Sequence, residues 1–381
     1  MESCDKSFLS TITAAFGVTY VYQSVMCITD RFPDLFYPIF CILTVAIVFG
    51  AYLHVLLPHC AAWMSWIFVY LGYVFLMVVY SGAMELYAPG VAFVGIGIGM
   101  EYVEMAKHVY QWMYTDAKLS FAFLGDVDFP QYKIWTLVLL WGLGGLVART
   151  LEIFAINPWF NSIIVGMGIT FFIGLIRLQS LKRHSDRSEN NDKYPEQGHY
   201  VILPTIQSRT LFLVFVTWFL VLMVQQFPLP EVKTGFTSDI EQMLLQSCVF
   251  IGCILSLFTL YFFETSARLW MVFLFSQLWW IVGAIQTDVE NTFMMSILAC
   301  VLTSTMIAGP SIVTFFSLHW LNSINFENMF GVLFGISQLG SLVGVLLTKS
   351  LSFHTLSIIA ALSMVIVTIC LRKIYAERIL T

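Results

Sequence analysis

Apolar stretches of about 20 residues recur along this chain, separated by short breaks that carry charge or proline. A helix needs about 20 apolar residues to cross a hydrocarbon core roughly 30 Å thick, and most of these stretches have that length. Their approximate limits are 8–28, 36–57, 61–82, 87–106, 132–150 and 158–177. After a polar interval come 210–228, 243–263, 268–286, 292–316, 328–349 and 354–371. The least sharply marked are the short fifth stretch and the boundary between the second and third, where Leu57-Pro58-His59-Cys60 intervenes.

A soluble chain could hold such stretches only behind a charged surface. Here 59% of the 381 residues are hydrophobic and 11% charged, against roughly 25% charged in an ordinary soluble domain. The mean hydropathy is +0.83 over the whole length. The solvent for most of the surface is therefore expected to be lipid, and the fold an all-α integral membrane protein of about twelve transmembrane helices. The first stretch follows Met1-Glu-Ser-Cys-Asp-Lys6 and reads as a first helix or signal anchor. The eight cysteines form no C-x-x-C and no zinc spacing, and read as small core residues.

Orientation follows the distribution of Lys and Arg. With twelve spans and a cytoplasmic N-terminus, the inner segments hold Lys6, Lys107, Lys118, Lys133, Arg177, Lys182, Arg183, Arg187, Lys193, Arg209, Arg268, Arg372, Lys373 and Arg378. The outer loops keep Arg31, Arg149, Lys233 and Lys349. That asymmetry is the positive-inside pattern, and it places both termini in the cytoplasm of a plasma membrane or a bacterial inner membrane.

The strongly hydrophilic segment 178–209 divides the chain into halves of six spans each, 1–177 and 210–371, with a short tail at 372–381. The segment reads as a cytoplasmic tether, or a short interfacial helix followed by coil; a regulatory site is the alternative. Six spans plus six about such a loop is how transporters with two pseudo-symmetric halves are built.

At this point the chain resembles the major facilitator superfamily. Span eleven is rich in glycine and small residues, with Gly331, Gly335, Ser337, Gln338, Gly340, Ser341 and Gly344, and looks like that family's eleventh helix. Gly95, Gly97 and Gly99 resemble its fourth, where small residues let backbones approach. The chain departs from the family between spans two and three, where Leu57-Pro58-His59-Cys60-Ala61 carries no Asp or Arg. The counterpart at Phe263-Glu264-Thr265-Ser266-Ala267-Arg268 keeps an acid and a base, and the connection 107–131 is long for the family. A divergent member and a different twelve-span family both fit.

Ionisable groups at membrane depth are costly and therefore functional candidates. Glu101 and Glu104 lie three residues apart on one face of span four. Counting from Tyr87, Glu101 is about 21 Å along the axis, in the cytoplasmic third of the core. Glu101 is the candidate for a proton-titrating or cation-binding group. The structural alternative pairs Glu104 with His108 or Lys107 and satisfies Glu101 on neighbouring backbone. Gln225 and Gln226 close span seven, suited to a solute hydroxyl or carboxylate but near the outer end, where solvated amides are ordinary. Arg149 could hold an anionic solute, or pair at the surface with Glu152. Gln23, Asn161, Gln246, Gln277 and Gln338 read as hydrogen bonds between helices, and Gly309-Pro310 as a break in span ten.

Several classes are excluded. The seven His form no H-x-x-x-H or clustered set, which argues against a membrane metalloenzyme. No G-x-x-x-x-G-K-[ST] occurs, nor a row of Arg or a T-V-G-Y-G filter. No enzymatic activity, resident metal, cofactor or nucleic-acid partner is expected. The expected function is secondary active transport of a small organic solute by alternating access, with proton coupling added, and lipid as the surrounding partner. The sparse charge in the spans fits an uncharged or singly charged, partly aromatic cargo. A non-transporting sensor or accessory protein with a transporter-like fold, and a lipid scramblase or flippase, are the alternatives.

Overall fold

The computed structural model describes residues 2–29, 32–58, 60–115, 131–191, 208–227, 251, 254, 270–285 and 326–379. The expected span at 292–316 lies outside the described residues, as does that at 243–263 apart from residues 251 and 254. Gln246, Gly309-Pro310, Phe263–Arg268 and the linker from 192 to 207 also lie outside them.

Every regular element among the described residues is helical. In chain order they are α1 (Glu2–Thr29), α2 (Pro33–Leu56), α3 (Ala61–Tyr80), α4 (Tyr87–Thr115), α5 (Gln131–Phe154), α6 (Pro158–Asn191), α7 (Ser208–Gln225), α8 (Trp270–Ile285), α9 (Phe326–Ser350) and α10 (Phe353–Ile379). A short 3-10 turn, Met84–Leu86, precedes α4. Eight helices are long and apolar enough to cross a membrane: Phe8–Thr29, Asp34–Leu56, Ala61–Tyr80, Met84–Val109, Thr136–Phe154, Pro158–Gln179, Met329–Ser350 and Phe353–Ile374. They match the first six expected spans and the last two. Arg209–Gln225 is apolar but shorter.

Local chemistry explains the helix ends. Proline opens α2 and α6, where its missing N–H costs nothing and its fixed φ suits the first turn. Gly82, after α3, has φ +119°, a conformation L side chains resist, and it lets the chain turn back into α4 within a few residues.

Polarity is arranged as lipid demands. Large apolar side chains point outward, Phe171, Phe172, Phe212 and Leu362 among them, each about three-fifths exposed. Ser10, Thr11, Ser24, Ser65, Thr170, Ser337 and Ser357 are instead fully buried. With no water in a bilayer core, polar groups must find partners inside the bundle. The Ser24 hydroxyl meets Tyr73 Oη at 2.5 Å, Thr29 meets Tyr87 Oη at 2.7 Å, and Tyr20 Oη donates to the Ser162 carbonyl at 3.3 Å, whereas the Ser10, Ser337 and Ser357 hydroxyls have no hydrogen-bond partner among the described residues. The protein is a multi-pass helical bundle of membrane type.

The packing falls into two sets. Helices α1 to α6 pack on one another, chiefly α2 and α3 on α4, α1 on α5 and α3 on α6. Helices α7 to α10 form a second set, with α10 on α8 and α7 and α9 on α7. The sets join where α9 lies on α2 and α4. Contacts also fix helix directions. Leu43 lies against Gly95 and Ile47 against Gly99, so α2 and α4 are parallel. Ser65 lies against Gly97 and Val94 against Gly72, so α3 opposes α4. Gly331 meets Val55 and Gly335 meets Val48, so α9 opposes α2; Gly340 meets Phe219 and Gly344 meets Met223, so α9 runs with α7. The end where α2 passes into α3 is called the near end below, and that where α3 passes into α4 the far end.

Helix α6 continues past Arg177 to Asn191, so the segment beginning at 178 starts as helix, as in the helix-then-coil alternative for it. One feature differs from the sequence reading. Arg177 itself, read as a solvated cytoplasmic base, is 2% exposed. Its guanidinium has a partner inside the bundle.

Candidate functional site

The glycine run of α4 creates the site. A Cβ at Gly95 would stand 2.6 Å from Ala46 Cβ and 2.8 Å from the Leu43 carbonyl oxygen. Cβ atoms at Gly97 and Gly99 would fall on the carbonyl oxygens of Ser65 and Ile47. Because α2 and α3 therefore touch the backbone of α4, the next turn of α4 is enclosed rather than lipid-facing. That turn carries Glu101, Tyr102, Val103 and Glu104, and between them they face four neighbouring helices: α2, α3, α6 and α9.

Glu101 faces α3 and α6. Arg177 donates from Nη2 to Oε1, and Ser65 Oγ donates to Oε2 at 2.8 Å. Glu101 is 1% exposed, so the pair is a buried ion pair completed by a hydroxyl. Arg177 Nε has no hydrogen-bond partner in the protein.

Glu104 faces α2. Its Oε2 lies 2.9 Å from His54 Nε2, and its Oε1 lies 3.2 Å from His108 Nε2, one turn later on α4. The His54 side chain is wholly buried, whereas that of His108 is 17% exposed. Lys107 adds positive charge nearby. His54 Nδ1 is buried without a hydrogen-bond partner. A proton on Nε2 lets this ring donate to the carboxylate.

Tyr102 and Val103 face α9. The Tyr102 ring stacks on Phe334 with centroids 4.3 Å apart and planes within 6°. Trp218 of α7 meets Phe330 and Phe334 edge-on at 5.4 and 5.7 Å. A Cβ at Gly331 would lie 2.6 Å from Val55, 3.3 Å from the Ala51 carbonyl and 3.7 Å from Val103. The seat of α9 is thus built jointly by α2 and α4, at the level where His54 and Glu104 tie those helices together.

The other expected site residues lie elsewhere. Gln225 ends α7 and Gln226 follows it in the turn against Gly344, both half-buried at the far end. Arg149 pairs with Glu152 at 2.6 Å, as the surface-pair reading expected, but the two side chains are 23% and 17% exposed. With the Gln23 amide turned so that its oxygen faces α5, that oxygen accepts from Arg149 Nε at 2.6 Å and Nη2 at 3.2 Å. Gln23 then ties α1 to α5, the interhelical role expected of it. Gln338 lies 3.5 Å from Ser341 Oγ within α9. Of the five candidates, Glu101 and Glu104 share one cluster, while Arg149 lies with α1 and the two glutamines lie with α9.

The sequence reading missed Arg177, His54 and Ser65. A signal for Arg177 existed: it stands near the end of an apolar run at a depth comparable to that of Glu101, and the two charges are opposite. No group of His, Cys, Asp and Glu suited to a metal ion occurs among the described residues. No protein-family model matches the chain, and no curated protein matches it.

Proposed function

We propose that the protein is a secondary active transporter that moves a small organic solute across its membrane by alternating access, with a proton as the coupling ion. The observation that carries this reading is the enclosed cluster of Glu101, Arg177, Glu104, His54 and His108 directly beneath the seat of α9. Charge at membrane depth is expensive, and it marks ion and substrate paths far more often than it stabilises a bundle. Here it adjoins the place where the two helix sets meet, which is where alternating access requires movement.

The proposed architecture is twelve spans in two six-helix halves, similar to the major facilitator superfamily. Helix directions support it. Helix α9 runs with α7, and α8 ends beside α7, since the Phe227 and Trp280 rings are 6.2 Å apart. A chain that crosses the same way in α7, α8 and α9 must return between them, which supports the spans proposed at 243–263 and 292–316. The positive-inside argument is supported too. Lys107, Arg177, Arg209, Arg372 and Lys373 lie toward the near end, Arg149 and Lys349 toward the far end. The near end is therefore proposed to be cytoplasmic.

The cargo is proposed to be uncharged or singly charged. Arg177 is already committed to Glu101, and the aromatic residues at the seam suit a partly aromatic solute. A thermal-shift screen of purified protein against metabolites and drugs, followed by uptake of any hit into proteoliposomes, tests the reading. The expected result is a stabilising compound that accumulates when a pH gradient is imposed and not without one. Binding without flux would favour a sensor or accessory protein, and movement of lipid headgroups in the same vesicles a scramblase.

A further inference from the structure

We infer that the cargo is a flat aromatic or heteroaromatic molecule with a neutral polar group on its edge, that it binds between the Tyr102 and Phe334 rings, and that Ser337 holds its polar group. The inference deepens the transporter reading and rests on it, naming what the seam would carry and where.

The rings belong to different helix sets. Tyr102 projects from α4 and Phe334 from α9, and their planes lie within 6° at a centroid separation of 4.3 Å. The Phe330 ring is parallel to Phe334 within 4°, at 6.1 Å. Trp218 of α7 stands across both, at 90° and 86°. The result is a series of parallel faces beside an indole wall. Flat faces do not interlock as aliphatic side chains do, so two of them separate as units. Alternating access requires the two sets to part, and parting bares one face of Tyr102 and one of Phe334. A planar solute of one ring thickness, about 3.5 Å, restores both contacts at once, whereas a puckered, saturated ring lacks the π-face that each of them prefers. In this conformation the slot is shut, ring on ring, with Phe334 and Phe330 buried.

The polar group follows from the next turn of α9. Phe330, Phe334, Ser337 and Ser341 recur at intervals of four, three and four residues, so they form one stripe of the helix. Ser337 lies near the middle of α9, about 4.5 Å along the axis from Phe334. It is wholly buried, and its hydroxyl has no hydrogen-bond partner among the described residues. A buried hydroxyl left unpaired is costly. A carbonyl, amide or ring nitrogen at the edge of the solute supplies the missing partner, since a hydroxyl both donates and accepts. The site does not call for charge on the solute: Glu101 is paired with Arg177, and Glu104 with His54 and His108.

Three probes separate ring from polar group: quinolin-2-one has both, naphthalene has the flat ring alone, and decahydroquinolin-2-one has the lactam on a saturated frame. Binding to the purified protein is measured by calorimetric titration, with empty detergent micelles as the blank. Quinolin-2-one is expected to bind, and the saturated lactam about tenfold more weakly. Tyr102→Leu and, independently, Phe334→Leu weaken quinolin-2-one about tenfold, while Tyr102→Phe, which keeps the ring, does not. Ser337→Ala weakens quinolin-2-one several-fold and leaves naphthalene unchanged. Phe75→Leu, which breaks a stack with Phe93 between α3 and α4 inside one set, leaves every probe unchanged. Thermal unfolding without probe checks that each variant is folded. Absence of quinolin-2-one binding to folded protein, equal binding of the saturated lactam, or unchanged binding in both ring variants overturns the inference. Binding at the rings without uptake of quinolin-2-one into proteoliposomes under a pH gradient leaves the site and removes the transporter. Uptake of another solute that neither ring variant slows leaves the transporter and removes this site.

Discussion

Arg177 and Glu101 show what an ion pair means when neither partner meets solvent. Removing one side strands the other, at a cost of about 3–5 kcal/mol in comparable buried pairs, whereas replacing both with apolar residues is often neutral. Glu101→Gln is therefore expected to lower the thermal midpoint of the purified protein by many degrees. Glu101→Leu combined with Arg177→Leu should recover most of that loss, and unfolding of all variants under one condition checks it. If the double variant is as unstable as the single one, the pair is not the source of the stability. The two glutamates stand out in the sequence because acids are rare inside an apolar run. His54 and Ser65 do not, and Arg177 is marked by its opposite charge at comparable depth alone, because a residue near the edge of such a run looks solvated until a neighbouring helix is known to cover it.

Glycines show a similar limit at the scale of the helix. The small residues of α4 and α9 signal close approach, but not which neighbour approaches or which glycines matter. Helix α5 offers a matched test in adjacent positions. A Cβ at Gly144 would collide with the Phe16 carbonyl of α1, while one at Gly145 meets nothing within 4 Å. Gly144→Ala is expected to lower the thermal midpoint clearly. Gly145→Ala should leave it unchanged or raise it slightly, since alanine is preferred to glycine in a helix by about 1 kcal/mol. Equal effects would mean that the α1–α5 contact is not held at this point. Among the described residues, helix existence was readable from the length of the apolar runs. Beyond 177 the residues are polar and can form helix or coil with equal ease in water, so the sequence left a tether and a short helix followed by coil both open; α6 extends to Asn191.

For the molecule as a whole, the chain order predicts two sets of helices but is silent on how they meet. That role falls to α9, whose small residues were legible while its position across α2, α4 and α7 was not. The proposed orientation has a direct test. Cysteines placed at exposed Ser81, at the far end, and exposed Arg372, toward the near end, should react with an impermeant thiol reagent from opposite sides of the membrane, Ser81→Cys from outside. Labelling of both from the same side would break the alternation of directions that the described contacts impose. The two ends of α9 are unequal. Toward the near end a Cβ at Gly331 would fall 2.6 Å from Val55 and 3.3 Å from the Ala51 carbonyl, so the helix sits close on α2 beside His54. At the far end Lys349, exposed, lies 5.3 Å from the Tyr37 ring centroid, a contact worth about 0.5–1 kcal/mol in such a setting. Thermal energy is about 0.6 kcal/mol at room temperature, so a contact of that size opens and closes spontaneously, which close helix packing does not. In the proposed transporter, the far side of this seam is the one expected to part first.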